Sequence, residues 1–159
     1  MSHKNVSSLL RFEMEQINQL LQTYHDLLEK SRIEEPNLLE VTAIASVLHS
    51  FYNGLENIFS TIAKKIDDRF PTGQFWHRDL LIQMSEENEK RNAILSDELK
   101  NTLSEYLGFR HFFRHAYSFT LEWSELKKPT SEIFDTWNQV KLSLDRFLST
   151  LDANDSLMD

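Results

Sequence analysis

Residues 38–66 read LLEVTAIASVLHSFYNGLENIFSTIAKKI, and this stretch decides the fold. Leu38, Val41, Ile44, Ala45, Leu48, Phe51, Tyr52, Leu55, Ile58, Phe59, Ile62 and Ile66 recur every three or four residues, which gathers them into one stripe along a helix. So long a stripe predicts the central core helix, beginning near Pro36, since proline suits a first helical turn. Gly54 lies inside it, where glycine costs about 1 kcal/mol against alanine. Either another helix approaches closely there, which is the favoured reading, or the glycine is simply tolerated.

Toward the N-terminus, Val6, Leu9, Leu10, Ile17, Leu20, Leu21, Tyr24, Leu27 and Leu28 predict an amphipathic helix from about Val6 to Lys30, broken between Arg32 and Pro36. Toward the C-terminus, Arg69 to Gly73 is a turn, and Thr72 is placed to cap a short helix carrying Phe75, Trp76, Leu80, Leu81 and Met84. Ser85 to Asn92 reads as a solvated loop. Ser96 caps a fourth helix, with Asp97 and Glu98 in its first turn, running to about Lys127. Pro129 then starts a fifth helix, with Ile133, Phe134, Trp137, Val140, Leu144, Phe147, Leu148 and Leu151 on its buried face. No strand alternation or internal repeat occurs. The expectation is an all-α bundle of four long helices plus one short one, a single domain over residues 1–151 with a frayed acidic tail at 152–159.

Composition narrows the function. The 159 residues include three glycines, three prolines and no cysteine, so disulfides, thiolate metal sites and cysteine nucleophiles are excluded. A net charge of −8 argues against general binding along nucleic acid, so any phosphate contact must be local. No apolar run approaches the roughly 18 residues of a membrane span, and the N-terminal residues lack a signal-peptide layout. A cytoplasmic protein without membrane contact is expected.

The stretch from Tyr106 to Phe119 carries the chemistry. On a helical wheel Phe109, Phe112, Phe113, Ala116 and Phe119 fall on one side, and Arg110, His111, Arg114, His115, Tyr117 and Ser118 on the other. No acid occurs between Glu105 and Glu122, so this arc is a positive strip on a negative chain. Arginine forks grip phosphate oxygens, and histidine near neutrality passes protons. Those parts suffice for cleavage of RNA by its own 2′-hydroxyl, with no cofactor or metal. The competing reading is an ordinary solvated face. As metal ligands His111 and His115 are a weaker choice, because the arginines would repel a cation. Leu99, Leu103, Tyr106 and Leu107 project onto the strip's side, so the apolar face switches near Gly108. Either the helix bends there or a second subunit covers the strip. His77 reads as a local hydrogen-bonding residue, His49 and His25 as helix-surface or core-edge positions.

Arg110 to Tyr117 matches R-x-x-x-x-H-x-Y, and in this the chain resembles the HEPN-domain proteins, specifically their HepT-like toxin branch. The segments Leu48 to Glu56 and Trp76 to Leu81 resemble those that precede the signature in that branch. The resemblance implies a metal-independent endoribonuclease toxin acting as a homodimer, with Arg110 stabilising phosphate, His115 as general acid/base, and RNA, tRNA among the candidates, as substrate. His111 and Arg114 would join in binding the RNA. It also implies an antitoxin partner, a minimal nucleotidyltransferase of the MntA type, which transfers AMP to Tyr117. Many HEPN signatures carry Asn or Asp after the arginine; this chain has His111, whose part in the chemistry stays open. The alternative is a HEPN interaction module without nuclease activity that binds a nucleotidyltransferase or a nucleotide.

Overall fold

The computed structural model describes residues 3–115, 117 and 121–158, with the side chains of Arg114, His115 and Met158 outside the description. Its helices are α1 (Lys4–Thr23), α2 (His25–Lys30), α3 (Leu38–Lys65), α4 (Trp76–Met84), α5 (Asp97–His115), α6 (Trp123–Ser131) and α7 (Ile133–Met158). Among the described residues there is no strand beyond an isolated bridge between Asn88 and Arg91, and the fold is all-α. Four helices are long, as the periodicity predicts, and α4 is the expected short one. The further short helices α2 and α6 arise where predicted helices break.

Two of the expected helices are divided. α1 gives way to α2 at Tyr24. The fourth predicted helix does not run to Lys127: α5 ends at His115, and Glu122 is extended ahead of α6. Pro129 does not start the last helix. It is buried within α6, its carbonyl accepts the Tyr106 hydroxyl at 2.7 Å, and the chain turns at Glu132 before α7.

α3 begins close to Pro36, as expected, and its cap is Asn37. Its side chain accepts from the Glu40 amide at 2.9 Å while the Glu40 carboxylate accepts from the Asn37 amide at 3.0 Å, a reciprocal capping box. Thr72 caps nothing, since α4 begins after Phe75 with no side-chain cap. Ser96 caps as predicted, accepting from the Leu99 amide at 3.1 Å.

The core forms around α3, which touches α1, α2, α4, α5 and α6, while α7 closes the bundle against α1, α5 and α6. Its stripe from Val41 to Ile62 is buried as predicted, although Leu38 is exposed. Fully burying each such side chain is worth about 1.5–3 kcal/mol. Phe51 stands between Tyr106 and Trp137, with ring centroids 5.4 and 6.3 Å apart. At Gly54, α1 comes so close that a Cβ would lie 2.8 Å from the Ile17 side chain, which is the close approach favoured from sequence.

The acidic stretch expected to fray continues α7 to Met158 and is tied to α1. Asp152 accepts from Ser7 and Arg11, both at 2.8 Å, and Asp155 accepts from the His3 amide at 3.2 Å. The 85–92 segment is the exposed loop expected from sequence except at one residue, because it delivers Arg91 into the protein. Arg91 donates to both Asp67 oxygens, at 2.8 and 2.7 Å, and to the carbonyls of Glu86, Asn92 and Gln83. Burial pushes the Asp67 carboxyl up, but hydrogen bonds from Arg91, Gln83 and Asn88 outweigh it and hold the group below the usual carboxylate range.

Candidate active site

Leu99, Leu103 and Tyr106 are buried on one side of α5, and the next positions on that line are Arg110 and the partly buried Phe113. Arg110 therefore belongs to the inward stripe, its side chain only 14% exposed, and not to an outer cationic strip. The apparent switch of faces at Gly108 dissolves accordingly. α5 runs through Gly108 as one helix, so it is not interrupted there. The strip is divided: Arg110 points at α3, while His111 is exposed.

What receives Arg110 is a polar line on α3. His49, Asn53 and Glu56 follow one another at spacings of four and three, on the same helical face. Arg110 Nε donates to Asn53 Oδ1 at 2.7 Å across 57 residues of sequence, and its Nη2 stands 3.9 Å from Glu56 Oε1. With its oxygen committed to arginine, the Asn53 amide must donate through Nδ2, so His49 Nε2, 3.1 Å away, accepts. The His49 ring rests against Phe113 with centroids 5.1 Å apart, which fixes it between α3 and α5.

Glu56 is shared with a third helix. Its Oε2 lies 2.7 Å from His77 Nδ1, and because a carboxylate can only accept, that nitrogen carries a proton and Nε2 is the ring nitrogen left for other partners. His77 stacks on Trp76 at 3.5 Å, and its side chain is a quarter exposed. Tyr52, one turn before Glu56, has its hydroxyl pushed well above the usual range by burial, then by the charge of Glu56, with Arg110 opposing. It stays neutral beneath the cluster.

Segments 48–56 and 76–81 and the signature helix thus meet in one place. Of the residues named from sequence, Arg110 is at the centre, His111 is exposed, and Tyr117 is 74% exposed just beyond α5. His115 is the last residue of α5; its side chain and that of Arg114 lie outside the described residues, as do Ala116, Ser118 and Phe119. Sequence reasoning missed Asn53 and Glu56 altogether and took His77 for a local residue. The spacing of 49, 53 and 56 was the available signal. Among the described residues no group of three His, Asp or Glu side chains could hold a metal ion.

Chemically, the cluster offers a fixed guanidinium for an anion and a carboxylate-backed imidazole for protons. Residues 43–151, more than half of the chain, match the profile of the HepT-like proteins. The chain belongs to the HepT-like family of HEPN proteins. Its matched region contains every residue of the cluster, so the HepT-like assignment and the geometry concern the same residues. No curated protein and no solved structure gives a match to this HepT-like chain. Among the described residues, no helix is long and apolar enough to cross a membrane.

Proposed function

We propose that this HepT-like chain is a metal-independent endoribonuclease toxin, held in check by an MntA-type nucleotidyltransferase that adds AMP to Tyr117. The observation that carries the reading is Arg110: a largely buried guanidinium, positioned through Nε by Asn53 but facing its carboxylate at 3.9 Å, beyond hydrogen-bond length. Such a group is fixed in place yet only partly neutralised, as a phosphate-binding arginine needs to be. Arg110 stabilises the charge on the phosphorus centre, His115 at the end of the same helix transfers a proton, and His111 and Arg114 hold the RNA, tRNA among the candidates. Tyr117 is exposed two residues past His115, and AMP there would set a bulky anion beside the site and repel RNA. Two copies pair along α5. The exposed Phe112 and the open space beside Gly108, where a Cβ would meet nothing within 4 Å, favour that face as the seam.

The net charge of −8 and the carboxylate beside Arg110 favour a second reading, a HEPN module that binds a nucleotidyltransferase or a nucleotide without cutting RNA. Cleavage assays with chelator present separate the two. The nuclease reading expects RNA, including tRNA, to be cut by the wild type and not by folded Arg110→Ala or His115→Ala. A wild type inert on every RNA, with no AMP on Tyr117 after incubation with ATP and the nucleotidyltransferase, would leave the binding module.

A further inference from the structure

Cleavage of RNA by its 2′-hydroxyl requires two proton transfers, one from the attacking oxygen and one to the leaving oxygen. His115 accounts for only one of them. We infer that His77, oriented by Glu56, is the second proton-transfer residue and the general base of the site, an inference that rests on the nuclease reading.

Three observations converge on His77. First, it alone among the described histidine–carboxylate contacts pairs at 2.7 Å with a carboxylate that is itself nine-tenths buried; His25 and Asp26 are exposed and 3.5 Å apart, and His3 stands 3.8 Å from Asp155. A buried carboxylate that fixes one ring nitrogen as a donor makes the other a base, the logic of a base held by a third group. Second, stacking on Trp76 at 3.5 Å holds the ring plane, and the side chain keeps a quarter of its surface open. Third, the other oxygen of the same carboxylate faces Arg110 at 3.9 Å. A phosphate gripped by Arg110 is therefore one carboxylate away from the imidazole.

The step balances without an outside reactant. His77 Nε2 takes the proton of the 2′-hydroxyl, the freed oxygen bonds to phosphorus, and the bond from phosphorus to the 5′-oxygen breaks. His115 supplies the proton that the departing 5′-oxygen needs. The products are a 2′,3′-cyclic phosphate and a 5′-hydroxyl. Of charged or titratable groups on the packed elements, Glu56 on α3 meets His77 directly, Tyr52 on α3 and Arg110 on α5 interact with that carboxylate, and Arg78 and Asp79 follow on α4, 3.8 Å from each other.

The test is the pH profile of RNA-oligonucleotide cleavage under chelation. In His77→Asn the amide nitrogen can still donate to Glu56, so the tie between α3 and α4 survives while the base is gone. The expected result is a folded variant with kcat lower by about 10²–10⁴-fold, KM little changed and the acidic limb of the profile lost. Imidazole added to His77→Ala should restore part of the rate, which no structural role would allow. Should His77→Asn fail to fold, Glu56→Gln keeps the shape of the side chain and is expected to displace the acidic limb. Wild-type kcat in folded His77→Asn, or an unmoved limb in Glu56→Gln, would overturn the role of His77 while leaving the nuclease in place. A wild type that cuts no RNA would overturn both.

Discussion

Among the described residues, two largely buried arginines meet carboxylates, and they do so differently. Arg91 and Asp67 are almost wholly enclosed, joined by two hydrogen bonds, and every other polar partner in reach is used: three carbonyls by the arginine, Gln83 and Asn88 by the aspartate. Arg110 and Glu56 are less buried and stand 3.9 Å apart, with the arginine tethered by Asn53 and the glutamate by His77. A saturated pair is a rivet, because no bond is left to exchange. A pair in which each partner is held by something else can open toward a ligand without losing its place. The contrast separates structure from function better than charge or burial does alone.

The contrast can be broken in several ways. Arg91→Ala leaves Asp67 buried without its counter-charge and should cost about 3–5 kcal/mol, read as a large fall in the denaturation midpoint. Arg110→Ala should lower RNA cleavage by about 10²–10³-fold, the cost of removing one donor to a developing anion, with a stability loss of about 1 kcal/mol, since His77 still holds Glu56. Acid should act on the first pair. The folded Asp67 carboxyl is depressed, so the unfolded chain takes up its proton first. The stability from this group is full above the unfolded value of about 3.9 and is lost as pH falls from there through the folded value. Denaturation midpoints between pH 6 and 3 should fall in the wild type, and less in Asp67→Asn relative to its own neutral-pH value.

Smaller effects mark regions outside both pairs. Gly54→Ala sets a Cβ 2.8 Å from buried Ile17, and overpacking at about 1–3 kcal/mol should exceed the roughly 1 kcal/mol gained in helix propensity. Arg11→Ala breaks an exposed pair with Asp152 and should cost no more than about 1 kcal/mol, less in high salt.

Much of the fold was legible because burial leaves a 3.6-residue rhythm. The stripes of α3 and α7 follow it, and Gly54 marked the crossing with α1. Helix ends were harder to read. The Asn37–Glu40 box was visible and overlooked beside Pro36, whereas the burial of Pro129 inside α6 depends on Tyr106, 23 residues away. At the site, Arg110 was legible as a residue but not in its direction. The wheel put Leu99, Leu103 and Tyr106 on the side of Arg110, but that line was read as a switch of the apolar face and not as burial of Arg110 itself. Its acid lies on α3, so the absence of acids between Glu105 and Glu122 described the segment and not the space around it. The same distance hid His77, whose partner lies 21 residues earlier.

The most direct test places the two arginines side by side: thermal midpoint and chelator-resistant RNA cleavage, measured on the wild type, Arg91→Ala and Arg110→Ala. The account predicts that Arg110→Ala melts near the wild type and does not cut. It predicts that Arg91→Ala melts far lower and still cuts at temperatures where it is folded. An Arg110→Ala variant that cuts like the wild type, or that loses its fold as Arg91→Ala does, would contradict it.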